Sequence, residues 1–165
     1  MQIIKDNKII DDDWERVREL ENDSPVPEGK VIIPFSYWQA NREQLIDSGK
    51  KMAVCVSSAD DIEEVAKDLA HFELIALDFP VFTDGRSYSN ARLLRERHGY
   101  TGELRAVGDV LQDQLFYMQR CGFNAFQLRE DKDINAALKA FSDFSVKYQT
   151  AADGALPVYR LRSSA

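Results

Sequence analysis

The stretch Met52-Ala53-Val54-Cys55-Val56 decides the fold, because an unbroken apolar run of this length is typical of a short strand that is covered on both faces. The run ends at Ser57-Ser58. Apolar residues then recur at the spacing of a helix that packs by one side: Ile62, Val65, Ala66, Leu69 and Ala70. A buried strand followed by an amphipathic helix is the repeating unit of an α/β protein.

The same unit repeats along the chain. The pattern predicts strands near residues 52–57, 73–78, 104–107 and 124–128, with helices near 60–70, 87–98, 110–121 and 133–146. The apolar run Val31-Ile32-Ile33 supplies one more strand. Strands that alternate with helices pair in parallel through right-handed crossovers. We therefore expect an α/β fold with a parallel sheet of about five strands, arranged either as an open sheet or as a partial barrel.

The two ends of the chain differ from this repeat. Residues 1–30 predict a small N-terminal β-hairpin, which turns at Asp6-Asn7, followed by a loop rich in proline and glycine. Residues 149–165 predict an extended C-terminal tail. A length of 165 residues fits a single domain that spans residues 1–165.

Composition excludes several classes of protein. The formal charge of −7 disfavours binding to nucleic acid or to an anionic membrane surface. The sequence contains no apolar run of the roughly 20 residues that a membrane helix needs, and its first residues do not resemble a secretion signal. The two cysteines, Cys55 and Cys121, are predicted to be buried free thiols. These features together predict a cytoplasmic location, and they leave self-association open.

Polar residues cluster where the predicted strands end. In a sheet of parallel strands, the carboxyl ends are the usual place for a ligand. Residues 84–105 contain five arginines and three acids, which gives a local charge of +2. This segment suits an anionic ligand or an acidic partner surface, and the alternative is a solvated helix face with ordinary Arg–Glu pairs. The candidate anion-binding or partner-binding residues are Asp78, Asp84, Gly85, Arg86, Arg92, Arg95, Arg105, Asp109 and Gln114.

Arg105 is unusual among these candidates, because it lies within the apolar strand Leu104-Arg105-Ala106-Val107. A buried arginine needs a partner, since removing an isolated charge from water costs several kcal/mol. We predict a structural ion pair, with Asp78 as the first candidate partner, and the alternative is a role in ligand binding. We also expect Gly85, Arg86, Arg105 and Asp109 to lie close together, and Asp109 to cap the helix that follows it.

The sequence contains no recognisable catalytic constellation. The glycines are too scattered for a Walker or Rossmann fingerprint. His71 and His98 are far apart and no histidine–cysteine–carboxylate cluster is visible, so no metal site is predicted. No flavin, nicotinamide, haem or iron–sulfur signature is present either, so the prediction is that the chain carries no cofactor. Whether it is an enzyme stays open, and no catalytic residue can be named.

The segment from Phe79 to Leu128 resembles a bacterial family catalogued as domain of unknown function 934. The resemblance rests on five pieces in order: residues 84–89 (DGRSYS), 91–95 (ARLLR), 99–106 (GYTGELRA), 108–115 (GDVLQDQL) and 122–126 (GFNAF). All five pieces lie in order between residues 84 and 126, which is far more specific than one short motif. The Ile-rich hairpin and the proline-bearing tail also resemble the ends of this family.

The resemblance implies a role in sulfate assimilation. The family is typically encoded beside the haemoprotein of assimilatory sulfite reductase and is commonly labelled an oxidoreductase. It therefore implies an accessory protein that has this haemoprotein as its partner and supports sulfite reduction or the electron supply. Because the residues show no cofactor signature, an accessory or docking role fits them better than electron transfer. The alternative is a small α/β enzyme or binding module that holds an anionic metabolite at its arginine-rich strand ends.

Overall fold

The computed structural model describes residues 1–81 and 83–142. The predicted tail at 149–165 and the end of the last predicted helix, beyond residue 142, lie outside these residues. Within them, no helix has the length and apolar character needed to cross a membrane.

All eight strands of the described residues form one open, curled sheet. In chain order they are β1 (Gln2–Lys5), β2 (Lys8–Asp11), β3 (Glu15–Arg16), β4 (Val31–Pro34), β5 (Met52–Val56), β6 (Phe72–Phe79), β7 (Glu103–Gly108) and β8 (Ala125–Phe126). Their order across the sheet is β2-β1-β8-β7-β6-β5-β4-β3. Strands β3 to β8 pair in parallel with their neighbours along the chain.

Helices connect the parallel strands. They are α1 (Phe35–Ala40), α2 (Arg42–Asp47), α3 (Ile62–Ala66), α4 (Arg86–Arg92), α5 (Leu115–Cys121) and α6 (Ile134–Lys139). A π-helical turn, Leu93–Arg97, continues α4, and short 3₁₀ turns occupy Leu69–His71, Gln112–Gln114 and Ala140–Ser142. The predicted strand–helix repeat is therefore confirmed.

The predicted sheet was too small, and its N-terminal hairpin was wrongly separated from it. Asp6 and Asn7 form the hairpin turn with φ angles of +49° and +61°, as short polar side chains permit. Strand β1, however, also pairs antiparallel with β8, with Ile4 opposite Phe126. The sheet is consequently mixed rather than purely parallel. Sequence periodicity could not show this pairing, because it joins residues more than 100 positions apart.

The sheet buries side chains on both faces. One face packs against the helices and forms the larger hydrophobic core, which includes Ile33, Val54, Ile75, Leu104 and Phe126. The opposite face carries a smaller cluster: Ile32, Ala53, Cys55, Leu74, Ala76 and Val107, with Trp14 packed against it. Because strand residues alternate between faces, Arg105 lies on the same face as Val107.

Residues 12–18 are named the covering segment, because three alternate side chains within them, those of Asp12, Trp14 and Arg16, contact this second face. Trp14 packs on the small apolar cluster, while Asp12 and Arg16 form ion pairs with strand residues. A face of a βα-repeat sheet without helices must be covered by some other part of the chain, since its apolar side chains would otherwise be exposed to water. The covering segment therefore shapes the carboxyl edge of the sheet.

Candidate functional site

The guanidinium of Arg105 lies buried at the centre of the second face, with only 1% of its side chain exposed. Nη1 and Nη2 donate to the two carboxylate oxygens of Asp12 at 2.7 and 3.0 Å, and Nε donates to Glu103 at 2.8 Å. The predicted burial and carboxylate pairing of Arg105 are confirmed. Its predicted partner is wrong, because Asp78 pairs with Arg16 instead, at 3.0 Å.

Small neighbours provide the space that Arg105 occupies. On the adjacent strands, Ala76 and Ala125 stand directly beside it in the register of the sheet. Registered residues of neighbouring strands point to the same face, so two methyl groups flank the long arginine side chain. The pair with Asp12 then joins the covering segment to the middle of β7. Its surroundings give Arg105 a structural role.

Arg16 and Asp78 lie at the carboxyl edge, close to the thiol of Cys55. Burial raises the pKa of this thiol to about 11, and the charge of Arg16 opposes the shift only in part. Cys55 is therefore protonated at neutral pH and is a poor nucleophile. The arrangement of arginine, carboxylate and thiol does not supply an activated cysteine.

Asp84, Gly85 and Arg86 form a separate group at the start of α4. Arg86 donates to Asp84 from Nε at 3.0 Å and from Nη2 at 2.8 Å, and the hydroxyl of Ser58 donates to Asp84 at 2.6 Å. These hydrogen bonds hold the pKa of Asp84 well below its usual value, and the hydrogen bond from the Arg86 side chain has the largest effect. Gly85 precedes the helix as its N-cap residue. The group fixes the loop between β6 and α4.

Arg92 and Arg95 differ sharply in their surroundings. Arg92 is 53% exposed and pairs with Glu96 one helical turn away at 3.1 Å. Arg95 donates to the backbone carbonyls of Gly122, Tyr100 and Gly102 at 2.7–2.9 Å. Arg95 thus joins α4, the loop before β7 and the end of α5, and it is not available to a partner. These hydrogen bonds give Arg95 a structural role.

Asp109 and Gln114 stabilise the segment that follows β7. The backbone N–H of Asp109 donates to Phe79 at 2.7 Å, and its carboxylate accepts from Arg129 at 3.1 Å. Asp109 does not cap a helix, which corrects the prediction. The side-chain oxygen of Gln114 instead accepts from the backbone N–H of Leu111 at 3.1 Å, at the start of the 3₁₀ turn.

Arg86, Arg105 and Asp109, three of the four residues expected to lie close together with Gly85, each have a different ion-pair partner. Arg86 pairs with Asp84, Arg105 with Asp12 and Glu103, and Asp109 with Arg129. The exposed arginines of the segment at 84–105 each pair with an acid: Arg86 with Asp84, Arg92 with Glu96 and Arg97 with Glu63. The alternative of a solvated face with ordinary ion pairs describes this segment better.

Two clefts open at the carboxyl edge, and both are lined by Arg16 and Arg18 of the covering segment. The larger, about 940 Å³, lies between the covering segment and residues 127–131 after β8. Its charged lining residues are Asp12, Asp13, Glu15, Glu130 and Asp131 against Arg16, Arg18 and Arg129, an excess of acids. The smaller, about 250 Å³, lies beside the ends of β4, β5 and β6.

Sequence analysis missed the covering segment. Residues 12–18 contain only a two-residue strand, too short for a periodic signal. The alternation Trp14, Arg16, Arg18 is the signal that could have placed these side chains on one face. Among residues 1–81 and 83–142, no group of three or more histidine, cysteine or carboxylate side chains could hold a metal ion.

A family model described as a bacterial protein of unknown function (DUF934) matches residues 53–159, more than half of the 165-residue chain. The described part of this range runs from β5 to the 3₁₀ turn after α6 and contains every candidate residue predicted from the sequence. No curated protein and no solved structure matches the chain significantly. The N-terminal hairpin and the covering segment lie before the matched range.

Proposed function

We propose that this chain, which belongs to the DUF934 family of bacterial proteins, is an accessory protein of assimilatory sulfite reduction. In this proposal it contacts the sulfite reductase haemoprotein and supports that enzyme or its electron supply. The choice of partner is supported by the resemblance described above, because genes of this family are typically found beside the gene of that haemoprotein. The geometry supports a docking role through one exposed surface.

That surface, named the Tyr117 face, consists of Tyr88, Arg92 and Tyr117 on the packed helices α4 and α5. The Tyr88 and Tyr117 rings lie 5.2 Å apart, and Tyr117 is 58% exposed. Tyrosine and arginine are enriched at the energetic centres of protein interfaces, where an aromatic ring supplies area and a guanidinium supplies directed hydrogen bonds. This exposed aromatic and cationic face is the observation that carries the docking proposal.

Arg92 is able to change partners on this face. Its only ion pair in the described part of the chain is with Glu96, which is itself 45% exposed. Exposed pairs of this kind contribute only about 0–1 kcal/mol. An acidic group on a partner could therefore replace Glu96 at little cost in free energy. That group would accept hydrogen bonds from Arg92 on the same face as the two tyrosine rings.

A direct binding measurement tests the docking proposal. Purified chain is titrated against immobilised sulfite reductase haemoprotein, with Arg92→Glu and Tyr117→Ala as variants. We expect each variant to weaken binding at least tenfold, because the first reverses the charge and the second removes the exposed ring. Arg97→Glu is the matched control, since Arg97 is 66% exposed and also pairs with one glutamate, Glu63, but is not part of the Tyr117 face.

Two outcomes would contradict the docking proposal. The first is the absence of binding by the unmodified chain at micromolar concentration. The second is an equal loss of affinity in the Arg97→Glu control, which would show that net charge alone governs the contact. Circular dichroism of each variant checks that the fold is retained.

A further inference from the structure

Arg18 differs from the other arginines of the carboxyl edge, because it is exposed and has no ion pair or hydrogen bond to any residue within 1–81 and 83–142. Its neighbours at this edge are all engaged. Arg16 pairs with Asp78, and Arg129 pairs with Asp109. Among the described residues, therefore, none occupies the guanidinium donors of Arg18.

Arg16 lies beside Arg18 in the lining of the smaller cleft, and its side chain is 15% exposed. Asp78 neutralises the charge of Arg16. Of these two arginines, Arg18 is therefore the one whose charge is not compensated by an ion pair with a described residue. The Nε atom of Arg16 has no hydrogen-bond partner within the described residues. A buried unpaired donor is unfavourable by about 1–3 kcal/mol, and a small shift of the side chain toward a bound acceptor would relieve it.

Hydroxyl groups from two strand–helix connections complete the smaller cleft. Ser36 follows β4 and Ser57 follows β5, and both line this space. The other lining carboxylate, Asp60, is already engaged, because it accepts from the backbone N–H of Ser57 at 2.7 Å. The charged lining residues are thus two arginines and two aspartates, so an anion would meet no excess of negative charge, unlike in the larger cleft.

We infer that the smaller cleft binds a small inorganic oxyanion between Arg18, Arg16 and the hydroxyls of Ser36 and Ser57. A volume of about 250 Å³ is below the range of roughly 300–1,000 Å³ that encloses a drug-sized ligand, so the cleft suits a single oxyanion with its first water molecules. The planar guanidinium matches the paired oxygens of such an ion. The position at the carboxyl ends of parallel strands is where βα-repeat proteins hold ligands.

This inference concerns a different surface from the Tyr117 face, with which the cleft shares no residue, and it does not require the haemoprotein. A failure of one proposal is therefore distinguishable from a failure of the other. The ion would bind the isolated chain, whereas the docking proposal needs the partner.

Calorimetric titration of the full chain with sodium sulfate, sulfite and phosphate, at constant ionic strength in chloride, tests the inference. We expect saturable binding of at least one of these oxyanions at millimolar concentration or tighter. Arg18→Gln should weaken that binding at least tenfold, because it removes a guanidinium that lines the cleft. Arg97, which is also exposed, provides the control: Arg97→Gln should change the affinity less than twofold.

A second variant guards against an effect on folding. Ser36→Ala removes an exposed hydroxyl from the cleft and should weaken binding about threefold without changing the melting temperature. Absence of saturable binding by the unmodified chain would overturn the inference. Unchanged affinity in Arg18→Gln, or an equal loss in Arg97→Gln, would also overturn it, since the ion would then bind elsewhere or by net charge alone.

Discussion

The two carboxylate oxygens of Asp12 accept from the two terminal nitrogens of Arg105 at 2.7 and 3.0 Å, which joins residues 93 positions apart in the sequence. Both side chains are almost fully buried, at 3% and 1% exposure. This relationship fixes the covering segment on the second face of the sheet. It also places Arg16 and Arg18, a few residues further on, at the carboxyl edge.

Replacing Asp12 should therefore destabilise the whole domain. Removing one member of a buried ion pair leaves an uncompensated charge, which costs about 3–5 kcal/mol. Because Glu103 remains hydrogen-bonded to Arg105, we expect Asp12→Ala to lower the free energy of unfolding by about 3 kcal/mol, at the low end of this range. Urea denaturation measures the change.

The double variant Asp12→Ala/Arg105→Met is the control for this prediction. Without the arginine no unpaired charge remains, so the double variant should be more stable than Asp12→Ala alone. Arg105→Met is measured alone as well. If the loss of unfolding free energy in the double variant equals the sum of the losses in the two single variants, the pair is not coupled.

Gly108 is required where β7 ends. Its φ is +93°, and a Cβ atom there would lie 2.5 Å from the backbone oxygen of Phe79. Gly29 has a similar φ of +100°, but a Cβ atom there would have no heavy atom of residues 1–81 and 83–142, apart from its chain neighbours, within 4 Å. We expect Gly29→Ala to cost about 1–2 kcal/mol through the backbone conformation alone, and Gly108→Ala to cost at least about 1 kcal/mol more through the clash.

Thermal or urea unfolding of the two alanine variants gives this difference directly. Equal destabilisation would mean that β6 and β7 separate easily at this point. The expected order instead requires the close approach of Gly108 to Phe79, which brings the N–H of Asp109 within 2.7 Å of the same oxygen.

The strand–helix repeat could be predicted from the sequence, but the residues that cover the second face of the sheet could not. Residues 52–56 and 72–79 are mainly apolar strands, and a helix follows each of them, so local pattern determined them. Strand β3 has two residues, and its place is set by Asp12, Trp14 and Arg16 meeting distant strands. Such contacts depend on tertiary structure, which a periodic pattern does not encode.

The candidate site shows the same division. Burial and pairing of Arg105 followed from the cost of an isolated charge, but the choice between Asp78 and Asp12 depended on which carboxylate the fold places opposite it. Arg95 was chosen for its charge, yet it binds backbone carbonyls of three other residues. Arg18 was not singled out, because an arginine in an irregular segment gives no signal without its surroundings.

Asp68 should make stability depend on pH in the acid range. Burial alone would raise the pKa of Asp68, but hydrogen bonds from Arg42 and Trp38 outweigh it and hold the pKa below its usual value. A carboxyl whose pKa is lower in the folded chain than in the unfolded chain stabilises the fold at pH values above the unfolded-state pKa, which is about 3.9. That stabilisation is lost as the pH falls through the folded-state pKa, because the unfolded chain then binds the proton more readily.

We therefore expect the free energy of unfolding to decrease below about pH 4, and Asp68→Asn to flatten part of this decrease. Asp13→Asn, at a side chain that is 76% exposed, controls for the change in net charge. Parallel curves for the unmodified chain and Asp68→Asn would show that Asp68 does not contribute to the dependence on pH.

Both thiols should be inert in the folded protein. Cys55 and Cys121 are buried, and burial raises the pKa of each thiol, for Cys55 to about 11. Thiolate is the reactive form, so we expect neither cysteine to react with a disulfide reagent within an hour at pH 7.5, and both to react in urea. Rapid reaction of the folded protein would contradict the described packing.

The growth of a strain that lacks this protein tests the central proposal most directly. If the chain supports sulfite reduction, the missing step lies between sulfite and sulfide. We therefore predict no growth on sulfate or sulfite as the sole sulfur source and normal growth on sulfide or cysteine, with growth restored by the unmodified gene. Normal growth of the deletion strain on sulfite would contradict the proposal.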